Sequence, residues 1–478
     1  MARTYYLSIS AAAGAAVLAL EVLAARTIAP TLGSGSVTWS ALLAVALAVL
    51  ALGNLAGGLL SQRVPACGVI AWSLAASSAC LLLLAQFYNA AMRWAADCPL
   101  VLGTIMAALI IQAVPLGMLG TVTPVILHQE RTTTGRWAGL VLAAGAAGGI
   151  AGALLAGLLL LPGVGLTRSY LAVAGLLALA AVPAVWPQRR WLAAGVLLAL
   201  LTAVAVCWYR HRPGAVVQSR YGQLEVRDTG MSRVLLIDGL PQTGLPAELM
   251  PGEALRCGYL LEAALFKRAK PSRALVIGLG AGLAPRLLAA DGIDCQAVEI
   301  DPQVVTIARD RFGFTGRATL ADGRTFLASG CQQYDLIFLD VCTSDRLAWH
   351  LFTVEALRTL QRRLSPEGVA VIQFIGDDGP WSVSLARTVD AVFGKSLMLA
   401  GRTELGPVGP RWLFAGQGLP LCFPEDYRFS RAAVPWKVVR PTGPGHLLTD
   451  DHFPAELDWT RTAVAWRRRY ATLAAADD

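Results

Sequence analysis

Acidic side chains are nearly absent from the first 209 residues, where only Glu21, Asp97 and Glu130 carry a carboxylate. So few charges cannot cover the surface of an ordinary soluble domain, and that class is excluded for this half. Over all 478 residues the charged fraction is 15%, against about 25% in soluble domains. Paired cysteines are lacking too. The nine cysteines (Cys67, Cys80, Cys98, Cys207, Cys257, Cys295, Cys331, Cys342 and Cys422) contain no C-x-x-C pair, which argues against a zinc site and offers no disulfide framework. Basic clusters are scarce despite a net charge of +8, since only Arg467, Arg468 and Arg469 form a tight run. That run reads as a solvated or lipid-facing tail, and no nucleic-acid partner is expected. The first apolar segment lacks a convincing cleavage site and reads as a retained helix.

What is present instead is long apolar sequence, with a hydrophobic fraction of 55%. A bilayer-spanning helix needs about 20 mostly apolar residues. Seven such stretches occur, at 6–29, 37–61, 67–88, 100–127, 137–161, 167–186 and 191–209. Turn signals such as Gly33-Ser34-Gly35, Pro65 and Pro162-Gly163 separate them. Small residues recur at Gly145, Gly148, Gly149 and Gly152, where membrane helices can approach closely. Charge inside an apolar helix is expensive, so Glu21 and Arg26 stand out. They are expected to pair with each other or across helices, or to lie on a substrate path. Asn54 and Gln112 are lesser candidates of the same kind, and Pro115 and Pro124 are expected to kink the fourth helix.

Beyond Tyr209 charges return at ordinary density. Residues 214–243 alternate like short antiparallel strands, and Glu253 to Lys267 has helical spacing. A buried-strand run, Ala274-Leu275-Val276-Ile277, then leads into Gly278-Leu279-Gly280-Ala281-Gly282 and a helix-like segment from Leu283 to Ala290. A glycine-rich turn between strand and helix lets backbone approach a ligand, although several nucleotide folds share it. The following strands each end in an acid. Glu299 comes about 20 residues after the glycine turn, where a carboxylate binds a ribose diol. Asp322 follows the next strand and can accept from an adenine amino group, and Asp340 ends the fourth. A lone acid after a strand is usually a helix cap. Four ligand-type features on successive strands point to nucleoside binding at the carboxyl edge of an open α/β sheet.

The run from Tyr221 through Gln373 resembles the spermidine synthase family. Val234 to Gln242 is similar to that family's β-hairpin ending in a glutamine near the cofactor. The resemblance implies cofactor contacts at Gln242, Gly278, Gly280, Gly282, Glu299 and Asp322, and a catalytic aspartate at Asp340. Tyr259 and Glu262 fall where the family places acceptor-side residues, and Asp345 is the nearest later acid in the catalytic loop. The segments Glu21 to Pro30, Gly117 to Pro124 and Leu448-Thr449-Asp450-Asp451 resemble multi-spanning members fused to a membrane domain. The expected architecture is therefore an α-helical transmembrane bundle of about seven helices (1–209), a small β unit (214–250) and a Rossmann-like methyltransferase-type α/β domain (251–478).

The resemblance implies S-adenosylmethionine or its decarboxylated form as co-substrate, with no metal. The implied acceptor is a small-molecule amine or a membrane-associated group. Two family carboxylates are replaced here, by Ala281 in the glycine loop and by Thr343 after Asp340. Both losses weaken the case for a polyamine acceptor, because an ammonium is best held by several carboxylates at close range. Aminopropyl transfer, methyl transfer, and a transporter or sensor with a nucleoside-binding domain stay open as readings, as does a homo-oligomer. Arginines divide almost evenly between the two faces of the membrane half, so charge leaves the orientation unsettled. The cytosolic location of adenosylmethionine favours a cytoplasmic soluble half.

Overall fold

The computed structural model describes residues 2–185, 216–246, 271–401, 408–417 and 436–466, with interruptions at 34, 97, 130–133, 229–231, 344–345, 455–457, 460 and 464, and also positions 203, 205 and 206. The chain divides into two compact units, Met1–Gly222 and Gln223–Asp478.

In the first unit the apolar runs form helices α1 (Ala2–Leu32), α2 (Ser36–Leu60), α3 (Ala66–Ala96), α4 (Leu100–His128) and α5 (Thr134–Leu155). A π-helical turn, Ala156–Leu160, joins α5 to α6 (Leu161–Val164), and α7 (Leu166–Val185) follows. Among the described residues, six segments are long and apolar enough to cross a membrane, with α5, the π turn and α6 counting as one. The expected seventh, 191–209, lies outside the described residues apart from three positions. Helix α3 continues to Ala96, beyond the expected end at 88, because its alanine-rich tail keeps helix propensity after the apolar run stops. A short strand, β1 (Val216–Gln218), also lies in this unit.

Close contact between helices comes from small residues. A Cβ on Gly148 would lie 1.9 Å from the Ala11 carbonyl oxygen, and one on Gly14 would lie 2.0 Å from that of Gly145. Helices α2 and α4 meet similarly through Gly53, Gly57, Gly117 and Gly120. Among the described residues the outer faces carry exposed Leu47, Leu55, Trp72, Leu83, Phe87 and Leu159, while Ser73, Ser77, Ser78, Gln112 and Thr121 are buried. That distribution is the reverse of a water-soluble bundle and suits a hydrocarbon surround.

Helix α4 runs through both prolines, and Ser77 Oγ donates to the Pro115 carbonyl at 3.1 Å. The Ser73 and Thr121 hydroxyls hydrogen-bond at 2.7 Å. Arg26 reaches past the end of its apolar run and donates to the carbonyls of Arg220 at 2.7 Å and Ser219 at 3.4 Å. Glu21 is half-buried, and Asn54 is exposed.

The second unit begins with an antiparallel ladder of β2 (Gln223–Asp228), β3 (Ser232–Ile237) and β4 (Leu240–Pro246). Asp238-Gly239 makes the β3–β4 turn with both φ angles positive, at 49° and 78°. Such a pair suits a two-residue hairpin whose twist matches that of its strands. The expected helix over 253–267 lies outside the described residues.

A mixed sheet then has the order β14-β12-β13-β11-β8-β5-β6-β7. Its parallel part comprises β5 (Arg273–Ile277), β6 (Asp294–Glu299), β7 (Arg317–Leu320), β8 (Tyr334–Leu339) and β11 (Leu364–Gly376). Antiparallel β12 (Ser396–Gly401), β13 (Gly409–Ala415) and β14 (Trp436–Val439) extend it, and β9 (Cys342–Thr343) pairs with β10 (Arg346–Leu347) beside it. Helices α8 (Leu283–Ala290), α9 (Pro302–Phe312), α10 (Gly323–Ser329), α11 (Val354–Arg362) and α12 (Pro380–Phe393) connect or follow the strands. The continuous apolar strands lie buried, as parallel sheets covered on both faces require. This is the Rossmann-like arrangement, and its strand order reverses between β5 and β8.

Candidate active site at the carboxyl edge of the sheet

Open α/β sheets form a crevice at the strands' carboxyl ends where the order reverses, here between β5 and β8, and the sequence places its most informative residues there. The Asp340 N–H donates to the Ile277 carbonyl at 2.8 Å, tying the two strand ends together. Gly278 follows with φ of 96°, and a Cβ on it would lie 1.9 Å from the Asp340 carbonyl oxygen. Only glycine permits both the backbone angle and that approach. Gly282 has φ of 79° and initiates α8, and a Cβ there would press on the Phe314 ring at 2.8 Å.

Glu299 ends β6 and folds over the glycine turn. One carboxylate oxygen accepts from Leu279 N–H and the other from Asp301 N–H, each at 2.9 Å. Burial raises its pKa, and the neighbouring Asp301 charge adds to the effect against the pull of the backbone donors. Asp340 is pushed up to about 7, first by burial of its carboxyl and then by the Glu299 charge. The residue as a whole keeps some exposure. A carboxyl poised near neutrality in a crevice suits proton acceptance.

Two acids serve as helix caps, as lone acids after strands usually do. Asp301 caps α9 by accepting from Gln303 N–H at 2.9 Å. Asp322 caps α10 by accepting from Thr325 N–H at 2.9 Å. Asp322 also faces His350, whose Nε2 lies 2.9 Å from its second oxygen. Despite partial burial, which opposes ionisation, the Thr325 and His350 hydrogen bonds hold the Asp322 pKa below its ordinary value.

The structure thus brings Gly278, Gly280, Gly282, Glu299, Asp322 and Asp340 to one sheet edge. Gln242 lies on β4, where its amide donates to the Leu240 carbonyl at 3.3 Å. Tyr259, Glu262 and Asp345 lie outside the described residues. Ala281, where the resembled family has an aspartate, is fully buried. Among the described residues, no group of three or more His, Cys, Asp or Glu is placed to hold a metal ion. His350 had no motif or spacing to announce it. Its nearest sequence signal was Asp450 in the segment Leu448 to Asp451, which fastens the turn that carries the histidine.

No protein-family model matches the chain. A curated N-terminal histidine N-methyltransferase of Emericella nidulans is 35% identical over 177 residues, 34% of this chain and 32% of that protein. A polyamine aminopropyltransferase of Vibrio vulnificus is 36% identical over 118 residues, 23% of this chain and 40% of that protein. A probable polyamine aminopropyl transferase of Bifidobacterium longum is 27% identical over 275 residues, 50% of this chain and 60% of that protein. The chain resembles the polyamine aminopropyltransferases in sequence. It spans between about a third and three fifths of the length of these curated relatives. Among solved structures, a probable spermidine synthase from Corynebacterium glutamicum aligns with 18% identity and a TM-score of 0.42, over 48% of this chain and 92% of that one.

Proposed function

We propose that this protein is a membrane-embedded transferase that moves a carbon group from an adenosylmethionine-type sulfonium donor to an amine nitrogen. The observation that carries this reading is the convergence of the Gly278 turn, Glu299, Asp322 and Asp340 on four strand ends flanking the sheet's reversal. Those residues suit the donor. Glu299 accepts one backbone N–H on each oxygen and retains lone pairs for a ribose diol, while Asp322 retains one acceptor position for a base amino group. Glycine at 278 lets the turn after β5 pass against the Asp340 backbone.

The donor supplies an electrophilic carbon beside a positively charged sulfur. Little activation is then required of the protein beyond holding the nucleophile in line and keeping it neutral. An amine is protonated near pH 7, so a base has to take its proton. Asp340 is that base in this reading: its carboxylate orients the amine, accepts the proton, and leaves the nitrogen lone pair free to form the new carbon–nitrogen bond as the donor's carbon–sulfur bond breaks and the neutral thioether leaves.

Aminopropyl transfer from the decarboxylated donor is the first reading, supported by the sequence likeness to polyamine aminopropyltransferases. Methyl transfer is the second. It is favoured by buried Ala281, and by Thr343 in place of the family's second catalytic acid, since both remove carboxylates that a polyamine would use. The relatives named for each reaction both act on nitrogen by name or substrate class. The apolar exterior of the helical unit supports residence in a bilayer, and the donor's cytosolic supply supports a cytoplasmic catalytic half.

The deciding experiment incubates the detergent-solubilised full chain with each donor and a panel of amines. Methylthioadenosine, above the level from donor breakdown alone, is expected for aminopropyl transfer, and adenosylhomocysteine for methyl transfer. Tight donor binding without either product across the panel would turn the reading toward a sensor.

A further inference from the structure

Asp322 is held more tightly than a helix cap requires. One oxygen accepts from Thr325 N–H at 2.9 Å and from the Thr325 hydroxyl at 3.2 Å. The other faces His350 Nε2 at 2.9 Å. Asp322 ionises readily, so it has no proton to offer, and the Nε2 atom must carry the hydrogen. A carboxylate has about four acceptor positions, and three are taken here. The remaining one lies on the oxygen that His350 already engages.

The histidine is itself mounted. It sits in a single 3₁₀ turn, Trp349–Leu351, with few backbone bonds of its own. Arg324, two residues after Asp322, donates to the His350 carbonyl at 3.0 Å. Asp450 grips the same guanidinium through both oxygens, at 2.7 and 2.5 Å. It also accepts from the Thr353 hydroxyl at 2.7 Å, and Thr353 caps α11 just after the turn. The Asp450 N–H donates to Glu355 at 3.1 Å. The Leu448 to Asp451 segment therefore fastens both the Asp322 turn and the His350 turn.

We propose that His350 is a positioning residue for base recognition, pinning Asp322 so that its last acceptor position selects a purine bearing a 6-amino donor over one bearing a 6-oxo group. This rests on the reading of Asp322 as the nucleoside-binding acid. A 6-oxo base presents an acceptor to that carboxylate oxygen, and two acceptors facing each other without a proton between them repel. Without His350 the carboxylate keeps its cap to Thr325, but its second oxygen is free to turn toward water. Selectivity then falls while the helix stays capped.

The test titrates methylthioadenosine and its deaminated counterpart methylthioinosine into the full chain in detergent by calorimetry. Wild-type protein is expected to prefer the amino form by at least about tenfold. His350→Ala should weaken methylthioadenosine about tenfold and leave methylthioinosine unchanged, while His350→Gln, whose amide can donate at the same reach, should restore most of the preference. Asp450→Asn, which loosens the mount, should give a partial loss in the same direction. Full selectivity in His350→Ala, or equal weakening of both ligands, would overturn the proposal while leaving the nucleoside site in place. If wild-type protein binds neither nucleoside, the underlying reading of Asp322 fails instead.

Discussion

Asp340 and Asp335 are five positions apart at opposite ends of one strand, and their carboxyls titrate in opposite directions. Asp340 is raised to about 7 by burial and by Glu299. Its base form is present only above that pH, so kcat/KM is expected to rise with pH and level off above a midpoint near 7. Folded protein also binds this proton more tightly than the unfolded chain does, so the group subtracts stability as pH climbs from about 4 to about 7. Glu299→Gln removes the neighbouring charge but leaves the burial, and the midpoint is expected to fall while staying above the usual carboxylate range. A midpoint that does not move in a pH–rate profile of this variant would mean the two carboxyls are not coupled. Asp340→Asn should cut turnover by at least about 100-fold while sparing donor binding.

Gln112 presents a different problem at the same scale. Its side chain is fully buried in the helical unit, and neither amide atom has a hydrogen-bond partner among the described residues. Leaving a buried amide unsatisfied costs roughly 1–3 kcal/mol. Gln112→Leu, close in volume and without polar atoms, is expected to raise the unfolding temperature in detergent. A lowered temperature would show that the amide has a partner beyond the described residues.

Elements hold together here through two unlike devices. Between α1 and α5 the device is absence of side chain, with Gly14, Gly145, Gly148 and Gly152 allowing backbone against backbone. Gly148→Val would force branched carbon into the space of the Ala11 carbonyl. The expected outcome is loss of a monodisperse peak on size exclusion, without any change confined to the second unit's chemistry.

Among β5, β8 and β11 the device is a single carboxylate. Asp335 accepts from Ser272 N–H and Oγ, from Arg273 N–H and from Ser365 Oγ. Partial burial opposes ionisation, but these bonds win and bring the pKa down to about 2. A depressed carboxyl stabilises the fold fully above its unfolded value near 4, and that contribution is lost as pH falls through about 2. Asp335→Asn is therefore expected to cost on the order of 1–2 kcal/mol at neutral pH, with the gap to wild type closing in acid. Denaturant titrations at several pH values would reveal whether it does.

For the whole molecule, the division into a helical unit and an α/β unit was visible as a change in acid density near Tyr209, because membrane and water impose different compositions. Six of seven expected spans stand as helices, and several run past their expected ends: α1 covers Ala2–Leu32, α3 reaches Ala96, and the fifth span continues through Pro162-Gly163 to Val164. The protein is expected to stay with membranes through an alkaline carbonate wash and to need detergent for release. Recovery in the wash would contradict the reading of the exterior as lipid-facing. The candidate site was legible to a similar degree, since Gly278, Glu299, Asp322 and Asp340 each mark the end of a strand whose pattern is unmistakable. His350 was not legible, because nothing local distinguishes a histidine that meets a distant carboxylate from any other half-exposed one. Nor did the sequence reveal that Arg26 would reach backbone carbonyls at 219 and 220, since long-range partners leave no periodic trace.

The sequence by itself determined what short-range physics can enforce: apolar runs long enough to span a bilayer, β-strands ending in acids, and a glycine turn with no alternative residue for its angles. Only the tertiary structure decided which of those strand ends become neighbours. Strand order put β5 between β6 and β8, so Asp340 entered the field of Glu299 and lost its ordinary acidity. It also brought Asp450, more than a hundred residues away in the chain, onto Arg324 and so onto the turn holding His350. Electrostatic coupling depends on distance through the fold, and a one-dimensional pattern carries no record of that distance.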